Sequence, residues 1–166
     1  VYTWKPLGAA YSKIPVLGVC LGHQGLGYYY GAKIIKAPEP YHGRISQIYH
    51  QSHPLFFNIS SPFKVVRYHS LIIANQSHTF PDDLEIIAKT DDNLIMAIQH
   101  KFKPYWGVQF HPESICTEFG KQLFINFNSL TKSFSNNQGY NNQVGCQQQG
   151  VRSHISEKNL NKYILG

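Results

Sequence analysis

An α/β fold is predicted by three features of this 166-residue sequence. A short apolar run, Val16-Leu17-Gly18-Val19, leads straight into a helix-like segment beginning at Leu21. Further apolar or alternating runs follow, and a late one ends at His111-Pro112-Glu113 just before a stretch of helical spacing. Hydrophobic residues make up 42% of the chain, enough at this length for a packed core.

Each element has its own signal. Val16–Val19 is continuously apolar after Pro15, the pattern of a strand covered on both faces and therefore parallel to its neighbour. Leu21 to Tyr28 opens a helix, and Ala32 to Lys36 forms a short strand. Arg44 to His50 alternates with period two, as a half-exposed strand does. Phe63 to Val66 is a strand that runs on into Arg67-Tyr68-His69-Ser70-Leu71. Leu84 to Lys89 and Leu94 to His100 are two more strands, joined by a turn at Thr90 to Asn93. Tyr105 to Phe110 is the late strand, and Phe119, Leu123, Phe127 and Leu130 recur at helical spacing. From Ser133 to Gly150 the chain is rich in Asn, Gln, Ser and Gly and reads as a disordered linker, with a weak helix after it. The folded domain is therefore expected over 1–131, and a linker or disordered tail over 132–166.

Composition narrows the function. The net charge is +6, but the 15 Lys and Arg residues are scattered, which describes a solvated basic surface rather than a nucleic-acid footprint. Three cysteines, Cys20, Cys116 and Cys146, make an odd and widely spaced set without a CxxC pair. That argues against a disulfide framework or a zinc site and for a reducing compartment. No apolar run approaches the roughly 20 residues of a membrane span, and the N-terminus has no signal-peptide shape. A cytoplasmic protein with no membrane or nucleic-acid partner is expected. The chain does not begin with Met, so a plastid form that has lost a transit peptide is the alternative.

Gly18-Val19-Cys20-Leu21-Gly22 carries the chemistry. A strand turning sharply into a helix, with small residues two before and two after a nucleophile, is a nucleophile elbow. The helix N-terminus lowers the thiol pKa, and the Leu21 amide can face a developing oxyanion. A lone cysteine is more often a buried structural residue; the two flanking glycines favour catalysis. A thiol needs a base and the base needs an orienter. His111 and Glu113 supply both at a strand end, where α/β sites gather, and Pro112 allows the turn that lets them converge. On its own that segment would read as an ordinary surface loop. His42, His50 and His69 read as hydrogen-bonded structural or partner-facing residues, and Cys116 and Cys146 as bystanders.

Pro15 to Gln24, Arg67 to Leu71 and Gly107 to Ser114 together resemble the class I glutamine amidotransferases, over about residues 14 to 130. Within that family they are similar to the glutaminase component of aminodeoxychorismate synthase and anthranilate synthase; His42 to Ser46 with Ile48 and His50 is similar to a strand of the same enzymes. The resemblance implies a flavodoxin-like, mostly parallel sheet flanked by helices. It implies Cys20, His111 and Glu113 as a triad, Gln24 in contact with glutamine, Ser70 and Leu71 holding the amino-acid end, and Leu21 as oxyanion donor. It implies no metal or other cofactor, and a chorismate-binding synthase, as a subunit or fused domain, to receive the ammonia. The folate (p-aminobenzoate) branch is favoured by Ala37 to Arg44 and Phe63 to Arg67, with the tryptophan branch as alternative. The family's Gly-Pro-Gly loop, which gives the second oxyanion donor, finds no match in the 19 residues before Cys20, so the first strands are expected to be missing. Loss of one such donor costs about 10²–10³ in rate. Two further readings stay open: an inactive module that still docks on a synthase, and a γ-glutamyl hydrolase or cysteine peptidase.

Overall fold

A computed structural model describes residues 14–76 and 80–143, with side chains of the last helix described through residue 134. The chain divides into two compact units, Val1–Ser135 and Asn136–Gly166. Among its described residues the first holds six strands, β1 (Val16–Val19), β2 (Ile34–His50), β3 (Phe63–Ile73), β4 (Leu84–Lys89), β5 (Ile95–His100) and β6 (Tyr105–Val108), and helix α1 (Leu21–Tyr29). Helix α2 runs Gly120–Gln143. The expected weak helix after residue 150 lies outside the described residues.

The strands form one sheet in the order β1-β6-β5-β4-β2-β3. The α/β class is as expected, but the sheet is mixed rather than mostly parallel. Among the described strands β1 and β6 pair parallel, and the other neighbours are antiparallel. The cause is the connections. A parallel pair needs a long crossover, whereas short turns such as Thr90 to Leu94 return the chain antiparallel. The two short strands read over 32–50 are in fact one. β2 is continuous for 17 residues, with register shifts between Lys36 and Tyr41 and between His42 and Arg44. Pro38, Pro40 and Gly43 break the sequence pattern there, yet bulges accommodate such residues without ending a strand.

Both faces of the sheet are covered. One carries Phe56, Phe63, Met96, Trp106 and Phe110, against Leu123, Phe127 and Leu130 of α2. The other carries Ile73, Ile95 and Ile98 with Leu26 of α1. Asn126 ties α2 down, its Nδ2 donating to the carbonyls of Leu55 (3.0 Å) and Phe57 (2.8 Å). The helix runs through the boundary expected at 131. Asn, Gln and Ser are neutral rather than forbidden inside helices. The Ser133 hydroxyl donates back to the Ser129 carbonyl at 3.1 Å, and the Ser129 hydroxyl to the Ile125 carbonyl at 3.0 Å.

His23 of α1 is fully buried against β6, where a Cβ on Gly107 would come within 2.9 Å of its Nδ1. Burial pushes its imidazole down to about 3, and the neighbouring His69 adds to this. The unfolded chain therefore takes up a proton near pH 6.5 that the folded chain refuses until about pH 3, so stability is complete above pH 6.5 and declines as pH falls through this window. His23→Asn should make the pH dependence of urea stability between pH 6 and 4 less steep by about 1.3 kcal/mol per pH unit. Identical slopes in the two proteins would mean that His23 protonates in the folded state.

Candidate active site

The site is assembled where β1 and β6 run out side by side. The Cys20 N–H donates to the Val108 carbonyl (2.8 Å), extending the parallel ladder by one rung, and the Cys20 carbonyl accepts from the Gln24 N–H (3.1 Å) to start α1. Cys20 thus belongs to strand and helix at once. Its backbone sits at φ 50°, ψ −99°, a conformation that L-residues avoid at a cost of about 1–3 kcal/mol. Gly18 makes the bend possible, because a Cβ there would lie 2.6 Å from the carbonyl carbon and oxygen of Gly22. The elbow read in the sequence is present, with Cys20 at its apex.

Cys20 is half-buried. Its thiol faces the Tyr68 carbonyl at 3.8 Å and receives the Gln109 Nε2 at 3.7 Å. Burial pushes the thiol pKa up; the Leu21 amide pulls it down, Glu113 raises it, and Gln109 lowers it. The net direction is upward, contrary to the lowering expected from the helix N-terminus: the Leu21 amide acts as expected, but burial outweighs it. The resting sulfur is therefore protonated at neutral pH and needs a base to react.

His111 and Glu113 meet as expected, Nδ1 to Oε1 at 2.6 Å. The carboxylate fixes the proton on Nδ1, so Nε2, on the other side of the ring, is the basic atom. Nε2 is buried and has no hydrogen-bond partner among the described residues. The segment is anchored to β3: the His111 N–H donates to the Val66 carbonyl (3.3 Å), Thr117 Oγ1 donates to the His111 carbonyl (2.7 Å), and the Val66 N–H donates to Thr117 Oγ1 (3.1 Å). Tyr68 links the two halves. Its ring meets the His111 ring edge-on at 5.7 Å while its carbonyl faces the thiol.

The remaining expected residues divide into two groups. Gln24 is buried, and its Nε2 donates to the Leu71 carbonyl (2.8 Å) and to Gln109 Oε1 (2.9 Å). Leu71 is thereby joined to the surroundings of Cys20. Ser70, next to it on β3, is exposed. The Leu21 side chain is 65% exposed and Leu71 40%, so the site is open on this side. Of the other histidines, His50 stacks on Phe56 (4.6 Å), His42 meets the Tyr68 ring edge-on, and His69 bonds to Arg67. Cys116 is free and exposed, and Cys146 lies outside the described residues. Gln109, Tyr68 and Thr117 carry no role in the sequence reading. Gln109 alone had a usable signal, two positions before His111 and directly after the strand that pairs with β1.

Residues 5–130 match the family model of the class I glutamine amidotransferases. Over 117 residues the chain is 56% identical to anthranilate synthase component 2 of Cyanophora paradoxa, covering 70% of this chain and 60% of that protein. Over 120 residues it is 48% identical to aminodeoxychorismate synthase of Streptomyces griseus, covering 72% of this chain and 16% of that protein. A solved structure from Thermoplasma acidophilum, assigned as one of the subunits of a GMP synthase, superposes with a TM-score of 0.68 at 30% identity, covering 75% of this chain and 61% of that one. The chain spans less than two thirds of the length of each of these three proteins. The chain belongs to the class I glutamine amidotransferase family.

Proposed function

We propose that this chain carries a glutaminase site that releases ammonia for a chorismate-aminating synthase. The observation that carries the reading is the strained Cys20 at the β1–α1 turn, joined through Tyr68 to the His111–Glu113 pair, with the basic Nε2 of His111 unpartnered among the described residues. In this mechanism His111 Nε2 takes the thiol proton as Cys20 Sγ attacks the side-chain amide carbon of glutamine. The Leu21 amide faces the oxyanion that forms. The imidazolium, stabilised by Glu113, gives its proton to the departing nitrogen, and ammonia leaves. His111 then draws a proton from water, hydroxide attacks the thioester, and glutamate leaves as the thiol is restored.

The acceptor is proposed to be chorismate on a synthase subunit or fused domain, making aminodeoxychorismate for the folate branch, which the 37–44 and 63–67 segments favour. The 56% identity to an anthranilate synthase component supports the tryptophan branch as second reading. Residues 132–166 are proposed as a linker or a tail, and the cytoplasm as the compartment, with the plastid as the alternative.

The test is glutamate release from glutamine, with and without a chorismate-binding synthase and chorismate, followed by identification of the aminated product. Release that depends on Cys20, with aminodeoxychorismate formed, is expected. Folded protein that binds the synthase but releases no glutamate would make this chain a docking module.

A further inference from the structure

Arg67 of β3 is almost fully buried yet has no carboxylate within bonding distance among its described contacts. Its guanidinium lies 3.3 Å over the Tyr41 ring, and Nη1 donates to Ser46 Oγ at 3.3 Å. Its Nε donates to His69 Nε2 at 3.0 Å. Arginine offers donors only and stays protonated, so His69 Nε2 must be the acceptor and the imidazole proton must sit on Nδ1. That Nδ1 lies 3.0 Å from the Leu71 carbonyl oxygen, and an N–H there donates to it. The same oxygen accepts from Gln24, whose second amide proton goes to Gln109, whose own amide reaches Cys20.

A side chain that merely filled space would not need this order of donors. Burying an arginine and an imidazole is costly unless their polar atoms are used. Arg67 Nη2 has no partner among the described residues, but Arg67 Nε and both His69 nitrogens are engaged, and this chain of donors ends on one backbone carbonyl. We propose that Arg67 and His69 are positioning residues for glutamine: Arg67 sets the His69 tautomer, and His69 fixes the Leu71 peptide relative to Gln24, Gln109 and the nucleophile. This rests on the glutaminase reading above, in which Ser70 and Leu71 hold the amino-acid end of the substrate.

The test uses the full chain and two reagents for Cys20, a chloroketone analogue of glutamine, which must fit the site, and iodoacetamide, which need not. His69→Ala is expected to raise the half-saturating concentration of the glutamine analogue about tenfold, the effect of a partly buried carbonyl losing one of its two donors, with the iodoacetamide rate within about twofold of wild type. His69→Asn, whose Nδ2 can take the place of Nδ1, should recover to within about threefold of wild type. Arg67→Met should weaken the analogue in the wild-type background and have little further effect in the His69→Asn background, because asparagine has no tautomer to set. Should His69→Ala not fold, the Asn and Met variants carry the same comparison. Equal weakening by Ala and Asn, or an equal cost of Arg67→Met in both backgrounds, would overturn the positioning role while leaving the glutaminase reading intact. A wild type that shows no preference for the glutamine analogue would overturn both.

Discussion

Cys20→Ala is expected to reduce glutamate release by about 10⁴-fold or more, to the level of residual binding and oxyanion stabilisation, because no other described group near the site can form the thioester. His111→Asn should fall about as far, since a protonated thiol attacks poorly and the leaving nitrogen needs a proton. The two losses should not add. Once the thiol or its base is gone the other has nothing to act with, so the double variant should match either single one. Glu113→Gln should lose less, because Glu113, 56% exposed at its side chain, orients His111 from outside. Steady-state glutamate release, with iodoacetamide labelling to confirm that Cys20 stays accessible in His111→Asn, measures the series. A double variant far below both singles would mean that Cys20 and His111 act independently, and the triad assignment would fail.

Gly18→Ala is the second change with a large expected effect, and it acts on the backbone. The new methyl would meet the carbonyl carbon and oxygen of Gly22 at 2.6 Å and the His23 nitrogen at 2.9 Å. All three are backbone atoms of the first turn of α1, so no side chain can swing aside. The helix must move off the strand, and with it the strained Cys20. A loss of about 3 kcal/mol in stability is expected, at the upper end of overpacking costs, together with most of the activity. Gly22→Ala is the control. A Cβ there meets nothing within 4 Å, and alanine favours the helix, so stability should be unchanged or slightly higher. Urea denaturation of both variants decides the point. Equal destabilisation would place the constraint in the glycines' flexibility rather than in contact.

These two glycines show what the sequence could and could not tell. Their even placement around Cys20 was enough to find the elbow, but it suggested equal need. The three-dimensional contact shows that only Gly18 faces the opposing backbone. His111 and Glu113 were legible because both roles fall within three consecutive positions. Gln109 carried one signal, its place two positions before His111, but its partners Cys20 and Gln24 are distant in sequence, so its contacts were hidden. Strand direction was hidden too. An apolar run such as Val16–Val19 signals a covered strand, and β1 is indeed parallel to β6, but four antiparallel neighbours follow from turns whose course the pattern does not encode. At the far end, a run of Asn, Gln and Ser looks like linker by composition, yet none of these residues forbids a helix already begun by Leu123 and Phe127 packing on the sheet.

The upward shift of the Cys20 thiol bears on how such a protein ages. Peroxides and disulfides consume thiolates, and they consume them fastest where the sulfur is already ionised. Burial and the nearby Glu113 favour the protonated form of this sulfur. In the proposed mechanism, where His111 removes that proton only as glutamine is attacked, a nucleophile stored in that form would resist oxidants between turnovers.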